Sequence, residues 1–119
     1  MTIGDLLDEV RNTVPECRVA AFIDSDTTLV LTVSAAERPQ QEALDRLAEI
    51  AADIMPSHNN SSGPCLDQAI LFDRHATLIF VRALAEPTEV ICCTCSDSVD
   101  VENILASARV ALDWIGKAG

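Results

Sequence analysis

The stretch Val90-Ile91-Cys92-Cys93-Thr94-Cys95 places three of the chain's five cysteines within four residues. Such a cluster raises three readings: a metal site, a thiol redox centre, or small apolar filling. In an extended strand successive side chains point to opposite faces, so Ile91, Cys93 and Cys95 share one face while Val90, Cys92 and Thr94 share the other. Cys93 and Cys95 are then roughly 7 Å apart, too far to ligate one ion together while the strand stays extended. No C-x-x-C pair completes a tetrahedral set. Free cysteine is among the most buried residue types and packs as a small hydrophobe, so core filling is the expectation for Cys92 and Cys93. Cys95, nearest the strand's end, keeps a claim to thiol reactivity, as does Cys65.

The remaining polar candidates are sparse. His58, Cys65 and Asp67 flank a polar stretch, PSHNNSSGPC (56–65), but the chain holds only one further histidine, His75. That is too few ligands for a zinc site. Asp24 and Asp26 bracket D-S-D-T, where a calcium loop would need more oxygen ligands and a glycine at its sharp turn; a turn held by aspartates is the expected reading. No nucleophile elbow, Walker loop or dinucleotide fingerprint occurs, and with four glycines a phosphate cradle is not expected. No cofactor, metal or catalytic residue is assigned, and the chain is not expected to be an enzyme.

The elements that position these residues follow from apolar spacing. Ile3, Leu6, Leu7, Val10 and Val14 recur at helical intervals, with Thr2 and Asp5 forming a capping box and Pro15 closing the helix. CRVAAFID (17–24) reads as a strand covered on both faces, with Cys17, Val19, Ala21 and Ile23 on one side and Ala20 and Phe22 on the other. TTLVLTVS (27–34) reads as a half-exposed edge strand with Leu29, Leu31 and Val33 facing one way. A helix over 39–55 follows, with Pro39 near its first position. DQAILFD (67–73) and ATLIFVRA (76–83) form a hairpin around Arg74-His75, and TEVICCTC (88–95) is the last strand. The final helix is capped by Asp97 or Ser98 and turns Val101, Ile104, Leu105, Ala108, Leu112 and Ile115 inward. The first and last strands in sequence carry the strongest two-sided apolar signal, so they are expected to be central neighbours. That gives an α/β (α+β) fold with a five-stranded, mostly antiparallel sheet, order 2-1-5-4-3, and helices on both faces.

Composition restricts the partners. Among 119 residues, eight basic side chains face nineteen acidic ones, a net charge of −11, and Lys117 is the only lysine. Nucleic acid is not expected as a partner, because counterion release needs clustered Lys and Arg. No apolar run reaches the roughly 18 residues of a membrane span, so no membrane insertion is expected. MTIGDLLDEV lacks the basic and apolar regions of a signal peptide, and the odd cysteine count suits reduced thiols; a cytoplasmic protein is the expectation.

The helix followed by VAAFIDSDTTLVLTVS (19–34), then EALDRLAEIAADIM (42–55), AILFDRHATLIFVRAL (69–84) and VICCTCSDSVDVENILASARVALDWI (90–115), resembles in this order the roadblock/dynein-light-chain domains. The resemblance covers nearly the whole chain, so residues 1–119 are expected to form one roadblock-like domain of profilin-like architecture. It departs from the family pattern in the SHNNSSGPC loop and in having Asp26-Thr27 where the first hairpin carries a glycine. The resemblance implies a non-catalytic homodimer that regulates or docks a small Ras-like GTPase of the bacterial type. In that family the second helix pairs with its counterpart, and sheet edges can join as well.

The 39–55 helix itself carries a broader apolar face than one sheet needs, in two stripes: Leu44/Ala48/Ala51/Met55 and Ala43/Leu47/Ile50/Ile54. Ala43, Leu44, Leu47, Ala48, Ile50, Ala51 and Ile54 are therefore the expected dimer or partner interface. None of Arg11, Arg38, Arg46, Arg74, Arg82 and Arg109 stands in a motif that marks a catalytic finger. The rival function is a small-molecule sensor or ligand-binding domain of profilin-like layout, which would need a pocket with converging polar groups.

Overall fold

The computed structural model describes residues 2–55, 66–84 and 86–118. Helix α1 (Ile3–Thr13) starts at Thr2, whose hydroxyl accepts from the Asp5 amide at 3.1 Å while the Asp5 carboxylate accepts from the Thr2 amide at 3.0 Å. That reciprocal pair satisfies two amides which the first helical turn leaves without partners. Strands β1 (Cys17–Asp24) and β2 (Leu29–Ala35) follow, then α2 (Gln41–Ile54), β3 (Gln68–Phe72), β4 (Thr77–Arg82), β5 (Glu89–Cys95) and α3 (Val101–Ala118).

The five strands form one sheet in the order β2-β1-β5-β4-β3, every neighbouring pair antiparallel. The strands expected at the centre, β1 and β5, are paired there, and β2 and β3 are the edges. Helices α1 and α3 cover one face through Leu6, Leu7, Val10, Ile104, Ala108 and Leu112, which pack on Ala20, Phe22, Ile79, Val81 and Ile91. Helix α2 covers the other, where Ala48, Ala51 and Met55 meet Ala21, Ile23, Phe80 and Val90. The central strands are thus apolar on both sides because both sides are dry.

Three local expectations are corrected. Pro39 lies outside α2, whose N-cap is Gln40 without a side-chain cap bond. Helix α3 is capped by Asp100, whose carboxylate accepts from the Asn103 amide at 3.2 Å, rather than by Asp97 or Ser98. In β2, Phe22 pairs with Thr32 and Ile23 with Val30, so Leu31 is an extra residue in a bulge. The bulge breaks the alternation: Val30 and Val33 both pack toward α2, while Leu29 and Leu31 are more than half exposed.

Candidate interaction surface

The seven α2 residues expected at an interface fall into two groups. Leu44 is 1 % exposed, and Ala48 and Ala51 are as deeply buried beneath α2, so these three belong to the chain's own core. Ala43 is exposed, and Leu47, Ile50 and Ile54 are half-buried along the flank of the helix. The broad apolar face therefore resolves into an inner stripe that holds the sheet and an outer strip of four residues that a second molecule could reach.

Helix α2 packs over β2, β1 and β5, toward one side of the sheet. At the opposite edge β3 carries Leu71 and Phe72, the latter 73 % exposed, with Leu66 and Leu84 exposed at the other end of the hairpin, before β3 and after β4. Among the described residues no strand pairs with the outer edge of β3, and such an edge with large apolar side chains beside it is a surface that invites another chain.

The cysteines form a buried cluster of a kind the sequence reading missed. Cys92 lies on the α2 face, and Cys93 and Cys95 lie on the α1–α3 face, as the strand alternation requires. Cys17 joins Cys93 and Cys95 there. Alternation along β1 would have put Cys17 with Ala21 on the other side. However, Cys17 pairs with Cys95 and Val19 with Thr94, so Arg18 is an extra residue that turns Cys17 over. Hydrogen bonds from Cys93 and Cys95 lower the Cys17 thiol pKa, and the Cys17 thiol also donates to the Val19 carbonyl at 3.4 Å. The bond to Cys17, and burial next, push the Cys95 thiol up. Cys95 is 0 % exposed, so its position at the strand's end gives it no access to solvent, and the claim to reactivity made for it does not hold.

His58 and Cys65 lie outside the described residues. Asp67 is exposed, and its carbonyl accepts from the Arg82 amide at 2.8 Å. Among the described residues no group of three His, Cys, Asp or Glu side chains is placed to hold a metal ion. Asp24 performs the turn role expected of it, its carboxylate accepting from the amides of Asp26 and Thr27 at 2.9 and 3.3 Å. Thr28 then takes a positive φ of 58°, the conformation for which glycine is the usual residue.

Arg82 was undistinguished in sequence and proves structural. It is 2 % exposed, with Nε donating to the Leu66 carbonyl at 2.8 Å and a terminal nitrogen donating to the Pro87 carbonyl at 2.7 Å. Arg109 from α3 donates to the Arg82 carbonyl at 2.7 Å. The two guanidiniums tie the start of β3, the β4–β5 connection and α3 together through backbone carbonyls.

Comparison with solved structures settles the architecture. A roadblock/LC7 domain from Streptomyces avermitilis superposes with a TM-score of 0.79 over 97 % of this chain and 95 % of that one, at 13 % identity. The chain has the roadblock fold. The gliding protein MglB of Thermus thermophilus is similar at a TM-score of 0.76 and 17 % identity, covering 98 % of this chain and 90 % of that one. LokiProfilin2, solved in complex with rabbit actin, reaches 0.64 at 10 % identity over 97 % of both chains, which places the roadblock fold seen here beside the profilin layout. No protein-family model and no curated protein matches the sequence. The roadblock fold is thus carried by an apolar pattern with hardly any shared letters. No helix among the described residues is long and apolar enough to cross a membrane.

Proposed function

We propose that this chain is a non-catalytic interaction module of the roadblock kind, one domain over residues 1–119, that forms a homodimer and docks or regulates a Ras-like small GTPase in the cytoplasm. The observation that carries this reading is the outer strip of α2, Ala43, Leu47, Ile50 and Ile54, on the same molecule as a β3 edge that no described strand pairs with and that bears Leu71 and Phe72. A two-fold axis that brings α2 against its counterpart would bury that strip symmetrically, and small Ala43 would let the helices come close. An exposed apolar surface of this kind is unfavourable on a monomer, and covering it stabilises a dimer in proportion to the area removed from water.

The GTPase half of the proposal rests on the roadblock resemblance, with the charge as support. At a net charge of −11 per chain the dimer would attract a partner with a basic docking patch, and their encounter would slow as salt is raised. The four described cysteines are free and buried, which suits a reducing compartment.

Sedimentation equilibrium at micromolar concentration tests the first half: a dimer is expected, and a strict monomer overturns it. The second half is tested by capture with Ras-like GTPases from the same genome, each loaded with GDP or a non-hydrolysable GTP analogue. Binding that depends on the nucleotide is expected. Absence of binding to all of them in both states overturns the GTPase assignment while leaving the dimer standing.

A further inference from the structure

On the side of the molecule away from α2, helices α1 and α3 enclose an open groove of about 450 Å³. Its floor is the buried Leu6 and Val10 from α1 and Ala111 from α3, and Ala106, Val110 and Trp114 of α3 line it as exposed residues. Val110 and Trp114 are 56 and 57 % exposed, although α3 has an inner stripe that already anchors it to the sheet. Along α3 the lining runs from Asn103 to Trp114, a span of ~16 Å at the rise of an α-helix, or about three turns. Those dimensions match the apolar side of a short helix lying between α1 and α3, with its side chains entering over Ala106 and Ala111.

The charges around the groove choose the occupant. Glu9 lines it, and Asp5, Glu102 and Asp113 stand exposed on the same two helices. The cations of these helices are largely directed elsewhere. Arg11 donates to the Ser34 hydroxyl on β2 at 3.1 Å, and Arg109 donates to the Arg82 carbonyl. Lys117 lies over the Trp114 ring, 5.8 Å from its centre, at the far end of the groove. Glu9 is the one carboxylate in the lining, and Asp5, Glu102 and Asp113 each precede a lining residue along their helices, which leaves the rim net acidic against Lys117. A second copy of this chain, itself at −11, would bring like charge to that rim, and an anionic membrane or a nucleic acid would do the same.

We propose that the α1–α3 groove is a docking site for a three-turn amphipathic helix of another protein, with apolar residues on one face and lysines or arginines on its flanks. Trp114 is the anchor, because a large aromatic ring at the mouth of an apolar groove gains most from being covered. The basic flanks meet Glu9 and the neighbouring carboxylates, giving a contact that is apolar in the middle and salt-sensitive at its rim. This surface is distinct from the α2 strip and the β3 edge, so its test does not depend on the dimer.

Trp114 is the chain's only tryptophan, so its emission reports on the groove directly. The probe is a synthetic three-turn peptide with leucines at every third or fourth position and lysines between them, titrated into the intact protein. A saturable blue shift is expected. Ala106→Arg, at an exposed position in the groove lining, should raise Kd by about tenfold or more while leaving the circular dichroism and Tm unchanged. Glu9→Lys should weaken binding at low salt, and a peptide with glutamates in place of the lysines should bind at least about tenfold more weakly. The proposal is overturned if the basic peptide gives no shift. It is also overturned if folded Ala106→Arg binds as well as the parent, or if the acidic peptide binds equally well. Emission that shifts with protein concentration alone would instead assign the groove to a second copy, and that too overturns it.

Discussion

Cys17 on β1 lies directly across the central ladder from Cys95 on β5, with Cys93 on the same face. A bulge at Arg18 creates that meeting, and it gathers three thiols into one buried cluster in which Cys17 also donates to the Val19 carbonyl.

The first prediction concerns alkaline pH. Burial raises the Cys92 thiol pKa well above its usual 9.0. In the unfolded chain that thiol ionises near 9.0, so above this pH folding must hold a proton that the unfolded state releases, and stability falls as pH rises. The chain contains no tyrosine, but Cys93 and Cys95 are raised as well, so the Cys92 share is read from the variant rather than from the total slope. Urea unfolding measured across the alkaline range should show the decline beginning near 9.0. Cys92→Ala should flatten it by up to about 1.4 kcal/mol per pH unit, the value of one proton. An unchanged slope would refute the assignment.

Thr28 holds a left-handed backbone with a β-branched side chain. Such a conformation costs an L residue roughly 1–2 kcal/mol, whereas glycine adopts it freely. Thr28→Gly should therefore stabilise the protein by about 1 kcal/mol, allowing for the extra freedom of glycine when unfolded. A lower urea midpoint in the variant would contradict the strain.

Arg82→Lys keeps the charge and loses the planar fork that reaches Leu66 and Pro87 at once. Losing hydrogen bonds from a charged donor to part-buried carbonyls costs on the order of 1–3 kcal/mol. The variant should show that loss in urea unfolding, together with faster amide exchange at the β3–β4 hairpin; parent-like stability would show that neither bond matters.

On α2, neighbouring leucines should behave differently. Leu44→Asp puts a charge into the sheet-facing core and should cost about 3 kcal/mol or more of stability. Leu47→Asp with Ile50→Asp, on the half-buried flank, should leave a folded protein whose dimer dissociates at least ~100-fold more readily. Sedimentation and circular dichroism on both variants separate the two roles, and an unchanged dimer in the flank variant would remove α2 from the interface.

Much of this architecture was legible in the sequence because apolar spacing carries it. The two-sided apolar runs at 17–24 and 90–95 placed β1 and β5 together at the centre, and Thr2 with Asp5 announced the first helix. What escaped were features that depend on one inserted residue or on tertiary contact. The extra residues at Arg18 and Leu31 each reverse the facing that alternation assigns, and nothing in their side-chain types signals a bulge. Arg82 resembled any other arginine, since carbonyls from Leu66 and Pro87 become its partners only after β3, β4 and β5 assemble. The seven α2 residues expected at an interface were chosen as a group, and separating the sheet-facing Leu44 from Leu47 on the flank required knowing where the sheet lies.

The pairing of β1 with β5 also sets the order of events when the chain folds. These partners are separated by most of the sequence, so the central ladder closes a long loop and must wait for residues 89–95 to arrive. During synthesis, β1 and β2 can form their hairpin early and α1 and α2 can reach its two faces, yet one edge of β1 stays open until the last strand emerges. A ribosome pausing before residue 89 would hold that apolar edge exposed, making the interval between the fourth and fifth strands the aggregation-sensitive stage in making this protein.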